Sequence, residues 1–249
     1  MKSKEQWVAR YNGPGNWWDC AYAIALDNSG NIYVTGESYD SDTWPDYATV
    51  KYDSSGVEQW VARYNGPGDS YDRAHAIALD NSGNIYVTGQ SIGSGTNYDY
   101  ATVKYDSSGV EQWVARYNGP GNSWDYAYAI ALDNSGNIYV TGYSGGSGTY
   151  EDYATVKYDS SGVEQWVARY NGPGNDWDRA YAIALDNSGN IYVTGGSRGS
   201  GTYVDYATVK YDSSGVEQWV ARCNGPGDSL DYAYAIALDN SGNVYVTGG

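Results

Sequence analysis

One histidine, two cysteines, six prolines and no phenylalanine stand among 249 residues, and each shortage closes off a class of protein. Ser-His hydrolysis has a single candidate base, His75. Cys20 and Cys223 occupy positions where sister segments carry Arg73 or Tyr126, and Tyr64 or Tyr117, so they read as sporadic substitutions and not as a disulfide framework. Basic residues are scarce: 14 Lys and Arg against 30 Asp and Glu leave a net charge of −16. Such a surface repels phosphates, so no nucleic-acid partner is expected. No apolar run approaches the roughly 18 residues of a membrane span. The opening MKSKEQWVAR lacks the apolar stretch of a secretory signal. No cofactor, metal or catalytic signature stands out, and the expectation is a chain without cofactor or metal that is not an enzyme.

Repetition is what the chain has in abundance. DNSGNIYVTG begins at Asp27, Asp80, Asp133 and Asp186, and again at Asp239 with Val244 for isoleucine, a period of 53 residues. An exact repeat favours a ring or solenoid, because every unit meets the same neighbours. Each period carries four short alternating segments rich in Val, Ile, Thr, Tyr and Trp, as strands require. In the first repeat they are Gln6–Tyr11, Ala21–Asp27, Asn31–Gly36 and Asp46–Tyr52. No segment has a helical period. DNSGN and DSSG read as tight turns, with Asp bonding the backbone ahead and Gly supplying positive φ. The links NGPGNWWD (Asn12–Asp19) and ESYDSDTWP (Glu37–Pro45) are longer. With 29 Tyr and 10 Trp, the apolar material carries polar handles and suits half-buried layers.

Four antiparallel strands per unit, repeated radially, make the blade of a β-propeller. The Ala-rich strand (Ala21, Ala23, Ala25) is expected innermost, where blades crowd the axis, and QWVARY at the rim. Ala-x-Ala-Ile-Ala-x-Asp, a short Gly-Asn turn and Tyr-Val-Thr-Gly resemble the SBBP beta-propeller repeat, a relative in style of the NHL repeat. The resemblance covers nearly the whole chain in five copies. It implies propeller architecture and an extracellular or cell-surface setting, and no defined activity. The fold expected is therefore all-β: one propeller domain over residues 1–249, with five blades of four-stranded antiparallel sheets and one blade lacking a strand. DYATVKY occurs only at Asp46, Asp99, Asp152 and Asp205, so nineteen strands are expected, with a truncated or defective last repeat. The unpaired edge left there invites a homodimer through the incomplete blade. Near-identical copies fit recent duplication or design, and the scattered drift (Cys223, Val244) leans toward a natural origin.

Variation among the copies gathers in the two longer links, which an up-and-down blade places on one face. Loops on a rigid scaffold are where binding usually sits. That face carries aromatics beside carboxylates: Trp17, Trp18 and Asp19, Tyr71 with Asp72, Trp124 with Asp125, and Trp177 with Asp178. Such pairs suit sugars, by ring stacking and hydroxyl hydrogen bonds. They equally suit packing, the aromatic wedged between blades and the Asp capping the inner strand. Leu230 beside Asp231 fits packing at least as well.

Several lookalikes are set aside. Gly195-Gly196-Ser197-Arg198-Gly199 matches a nucleophile elbow, but a strand follows where a helix is required. His75 replaces the Tyr22, Tyr128, Tyr181 and Tyr234 of its sisters, as a packing substitution would. DNSGN lacks the length and closing Glu of a calcium loop. Glu37, Asp40 and Asp42 read as a solvated charge cluster. The recurring Arg and Lys of the outer strands are expected to pair along the blade edge. The function expected is a repeat scaffold offering its variable face to a protein or cell-surface partner. The alternative is a lectin-like propeller with one weak glycan site per blade.

Overall fold

The computed structural model describes residues 6–41, 44–227 and 229–249, all strand, turn or irregular chain. Asp42 of the acidic loop lies outside the described residues. Blade 1 comprises β1 (Asp19–Leu26), β2 (Ile32–Tyr39), β3 (Pro45–Tyr52) and β4 (Glu58–Tyr64). Blade 2 comprises β5 (Asp72–Leu79), β6 (Ile85–Ile92), β7 (Tyr98–Tyr105) and β8 (Glu111–Tyr117). Blade 3 follows with β9 (Asp125–Leu132), β10 (Ile138–Gly145), β11 (Glu151–Tyr158) and β12 (Glu164–Tyr170). Blade 4 has β13 (Asp178–Leu185), β14 (Ile191–Arg198), β15 (Val204–Tyr211) and β16 (Glu217–Cys223). Blade 5 has β17 (Ala233–Leu238) and β18 (Val244–Gly248). Within every blade the strands pair antiparallel in chain order.

The turns form as their residues dictate. Asp27 Oδ1 accepts the N–H groups of Ser29 and Asn31, each at 2.9 Å, while Gly30 takes a φ of +80°. Asp53 does the same for Ser55 and Val57, with Gly56 at +83°. Both turns recur in every four-stranded blade, holding strands one to two and three to four in fixed register.

Each inner strand carries a β-bulge. In blade 1, Ala21 pairs with Gly36 and Ala23 with Thr35, which leaves Tyr22 without a partner across the ladder. The same slip passes over His75, Tyr128, Tyr181 and Tyr234. The bulge explains the unchanging glycine of Tyr-Val-Thr-Gly. A Cβ on Gly89 would lie 1.9 Å from the carbonyl oxygen of Arg73, and one on Gly142 1.9 Å from that of Tyr126. Only hydrogen fits there.

Core forms between blades. Tyr33, Tyr47, Ala62 and Tyr64 on the trailing face of blade 1 pack against Ala74, Ile85, Val87, Ala101, Val103 and Tyr105 on the leading face of blade 2. Equivalent layers join blades 2 and 3, and blades 3 and 4. Polar ties reinforce them: the hydroxyls of Tyr47, Tyr100 and Tyr153 donate to the carbonyls of Ala101, Ala154 and Ala207 in the following blade, each at 3.1 Å. The outer-strand cations serve these joints and not only the blade edge. Arg116 donates to Ser91 and Asp99 within its blade and to the hydroxyl of Tyr64 in the preceding one. Lys51 donates to the carbonyl of Ser107 in the next blade and lies over the Tyr33 ring.

β1 packs on β5, β5 on β9, β9 on β13 and β13 on β17, so the Ala-rich strands are innermost. No packing of that extent joins β17 back to β1. Eighteen strands form among the described residues instead of nineteen, because Gln6–Tyr11 lies outside any ladder. Its sisters β4, β8, β12 and β16 each pair with a DYATVKY strand. No such strand stands beside Gln6–Tyr11 among the described residues.

Candidate functional site

The two variable links do share a face, and backbone hydrogen bonds tie them together. Gly15 N–H donates to Tyr39 O, Gly68 to Ile92 O, Gly121 to Gly145 O and Gly174 to Arg198 O, each at 3.1 Å. Within the first link, Asn16, Asp69, Asn122 and Asn175 take φ values of +46° to +48°. Asn and Asp tolerate that left-handed turn better than other side chains.

The turn separates the aromatic–carboxylate pairs. Asp72, Asp125 and Asp178 are fully buried. Asp125 accepts Gly119 N–H at 2.7 Å and Gly145 N–H at 3.1 Å, fastening one link to the other. Asp19 accepts Gly13 N–H at 2.9 Å in the first blade. Burial pushes the carboxyls of Asp72, Asp125 and Asp178 up to about 6, against the lowering effect of those donors. In Asp72, Asp125 and Asp178 both carboxylate oxygens accept N–H groups of the loop backbone. The indoles behave oppositely. Trp17 is 66% exposed, Trp18 73%, Trp124 53% and Trp177 49%, so they do not wedge between blades. Tyr71 is half-buried, its ring centroid 4.5 Å from that of Trp44.

The bulges assemble a second group, which sequence reasoning missed. The rings of Tyr22, His75, Tyr128, Tyr181 and Tyr234 follow one another around the inner edge, with centroids 5.5, 5.1, 5.4 and 5.3 Å apart. Polar groups at the same level differ in every blade. Tyr22 donates to Glu37, and Arg73 of blade 2 reaches back to the same carboxylate at 2.6 Å. His75 Nε2 meets Gln90 Oε1 at 2.7 Å. Tyr126 stacks on Tyr143, and Arg179 pairs with Glu151 while lying over the rings of Tyr143 and Trp177. Burial, with the Glu37 hydrogen bond next, pushes the Tyr22 phenol up to about 12. Burial lowers His75, which is neutral at pH 7. The signal was present in the copies: the residue after each link aspartate and the residue after each Tyr-Val-Thr-Gly vary, while everything beside them is constant. Among the described residues no group of three or more His, Cys, Asp and Glu is placed to hold a metal ion.

A family model described as a beta-propeller repeat, SBBP, matches residues 59–96, 112–148, 165–200 and 218–248. The chain belongs to the SBBP beta-propeller repeat family. No curated protein matches it significantly. Among solved structures, this SBBP propeller is similar to an alpha-L-arabinanase of Penicillium chrysogenum complexed with arabinobiose. The identity is 14% and the TM-score 0.57, over 96% of this chain and 78% of that one. It is also similar to an alpha-L-arabinofuranosidase of Clostridium thermocellum, at 12% identity and a TM-score of 0.48, over 92% of this chain and 94% of that one. An enzyme of Xanthomonas citri complexed with xylotriose matches at 11% identity and a TM-score of 0.45, over 91% and 89%. At such identities the likeness is one of fold. The expectation that the chain is not an enzyme is nonetheless overturned as a reading of its architecture, since the arabinanase is an enzyme built on a similar fold, and the fold is compatible with enzymes.

Proposed function

We propose that the propeller presents its variable loop face to a protein or other surface structure outside the cell, and holds it through exposed indoles. One observation carries this reading. Trp17, Trp18, Trp124 and Trp177 stand in solvent on the links where the copies differ, above aspartates that lock those links rigidly. Pre-ordered aromatic anchors are what binding surfaces use, because little side-chain freedom is lost on contact. The inner-edge residues Glu37, Arg73, His75, Tyr126 and Arg179 make each blade's share different, which fits one extended partner. The test compares the chain with a Trp18→Ala, Trp124→Ala, Trp177→Ala variant for adhesion to immobilised cell-surface proteins. Both should melt alike; adhesion should fall at least ten-fold in the variant. Equal adhesion would refute the reading.

A second reading, one weak glycan site per blade, draws on a different observation. Trp18, Tyr71, Trp124 and Trp177 recur at equivalent places, as repeated sugar platforms would. Without the aspartates, those sites would rest on ring stacking and loop backbone groups. A glycan array decides between them: silence toward every sugar at millimolar concentration retires the glycan reading and leaves the protein one.

A further inference from the structure

Apart from Lys2 and Lys4, every cation of the chain except Arg73, Arg179 and Arg198 recurs at the 53-residue period. Arg73 and Arg179 share one repeat position, just after the buried link aspartate, where blade 3 has Tyr126. Both reach the arc of bulge rings at the inner edge, and both meet a glutamate of the preceding blade. The two glutamates come from different repeat positions: Glu37 follows Tyr-Val-Thr-Gly, whereas Glu151 precedes Asp-Tyr-Ala-Thr-Val-Lys-Tyr. Copying one ancestral unit does not account for the same ion pair built by two routes.

What the pairs leave open is chemically one-sided. Glu37 is fully engaged: Tyr22 donates to Oε1 at 2.9 Å and Arg73 Nε to Oε2 at 2.6 Å. Arg73 gives only Nε, and its terminal nitrogens have no partner among the described residues, on a side chain 38% exposed. Arg179 likewise turns Nε to Glu151. An arginine held this way presents the flat end of its fork to a second carboxylate. His75 Nε2 meets Gln90 Oε1, and the Gln90 amide nitrogen has no partner among the described residues, although Gln90 is only 5% exposed. A donor so nearly buried costs free energy until an acceptor reaches it. Aromatic surface lies between the arginines. The Tyr128 ring is 5.1 Å from that of His75, 5.4 Å from Tyr181 and 5.8 Å from Tyr143. Burial raises the Tyr128 phenol, while a Tyr143 hydrogen bond and the charges of Arg179 and Arg73 pull it down, so both cations act on one ring.

We propose that the inner edge of blades 2 to 4 binds one acidic sugar chain of the uronate class, with Arg73 and Arg179 on its carboxylates and Tyr128 against a ring between them. Unpartnered donors at intervals, with rings between, call for a ligand that alternates acceptors with apolar faces. A uronate chain does so, offering carboxylates to the guanidinium forks and C–H faces to the tyrosines. The net charge of −16 opposes a densely charged polyphosphate more than a singly charged carboxylate. The site uses none of the exposed indoles and lies within the four-stranded blades.

The test titrates the full chain calorimetrically with a galacturonate trisaccharide. One-to-one binding with a Kd on the order of 0.1–1 mM is expected. Galactotriose, acetate and inorganic phosphate should each bind roughly ten-fold more weakly, since each lacks either the carboxylates or the ring faces. Arg73→Lys keeps a charge opposite Glu37 but loses the fork, and should weaken binding about ten-fold. The neutral and bare-anion arms use the unaltered chain, so they decide even where a variant melts early. Arg198→Gln, which removes a charge from the blade 4 link, and Trp18→Ala should both bind as the parent does. The indole reading can therefore fail while this one stands, and the reverse. No binding at about 10 mM trisaccharide, equal binding of galactotriose, or equal binding of acetate or phosphate would overturn the proposal. So would a Kd unmoved by both Arg73→Lys and Arg179→Lys, or several equivalent sites weakened by Trp18→Ala, the signature of one site per blade.

Discussion

The tyrosine that closes each joint offers a test with an internal control. Tyr47, Tyr100 and Tyr153 are fully buried and donate at 3.1 Å to a carbonyl of the following blade. Burial holds these phenols well above their ordinary value, so the donor stays protonated at any working pH. Replacing one with Phe removes a single oxygen and leaves the ring packing in place. The receiving carbonyl keeps its bond from a threonine, as Ala101 keeps Thr88 at 3.3 Å, so no acceptor is stranded. The cost is then the net value of one buried hydrogen bond, about 1 kcal/mol. For a chain of this size that lowers the melting temperature by about 2–4 °C. Tyr206 is the counterpart in blade 4, but blade 5 has no third strand among the described residues to offer the carbonyl. Calorimetric melting should therefore show a loss for Tyr47→Phe, Tyr100→Phe and Tyr153→Phe and no measurable change for Tyr206→Phe. Four equal losses, or none, would refute the reasoning that the hydroxyl acts across the joint.

Two further outcomes follow from the same joints and links. Gly142→Ala sets a Cβ 1.9 Å from the carbonyl oxygen of Tyr126; backbone must shift, at about 3 kcal/mol, whereas Gly95→Ala meets no atom within 4 Å and costs about 1 kcal/mol of positive-φ strain. Chemical denaturation of the two variants separates a clash from conformational strain, and equal losses would count against the bulge. Asp72, Asp125 and Asp178 titrate near 6 in the folded chain against 3.8 ordinarily. The folded state thus holds the proton more tightly, and their contribution to stability grows as pH falls from above 6 toward 4. The turn aspartates Asp80, Asp133 and Asp186, lowered chiefly by hydrogen bonds from Asn84, Asn137 and Asn190, work the other way and lose stability below about 4. Melting between pH 4.5 and 8 should show a smaller rise toward acid in Asp125→Asn; an unaltered profile would place the titration elsewhere.

Much of the fold was legible because the determinants are local and repeated. Asp27, Asn31 and Gly30 specify a turn wherever they stand, and alternation in Ile32–Gly36 specifies a strand, so five copies specify five units. The site was legible only in outline. Trp18 and Asp19 are neighbours in the chain, and adjacency suggested a joint role. The positive φ at Asn16 and the reach of Gly13 N–H turn the carboxylate inward and leave the indole outside. The arc from Tyr22 to Tyr234 went unread, because it depends on a bulge that alternation conceals and on contacts 53 residues apart.

Taken alone, the sequence determined the blade: its four strands, their order, its tight turns and the face on which its variable links emerge. These follow from side-chain periodicity and turn chemistry within a few residues. Tertiary structure decided which aspartates are buried, which indoles are free, where the inner rings meet and which joint stays uncovered. Those outcomes depend on what the adjoining blade supplies, and an identical segment is core beside one neighbour and surface without it. Ile77 and Ile24 are the same residue in the same repeat, and only the presence of a blade in front of Ile77 makes the difference.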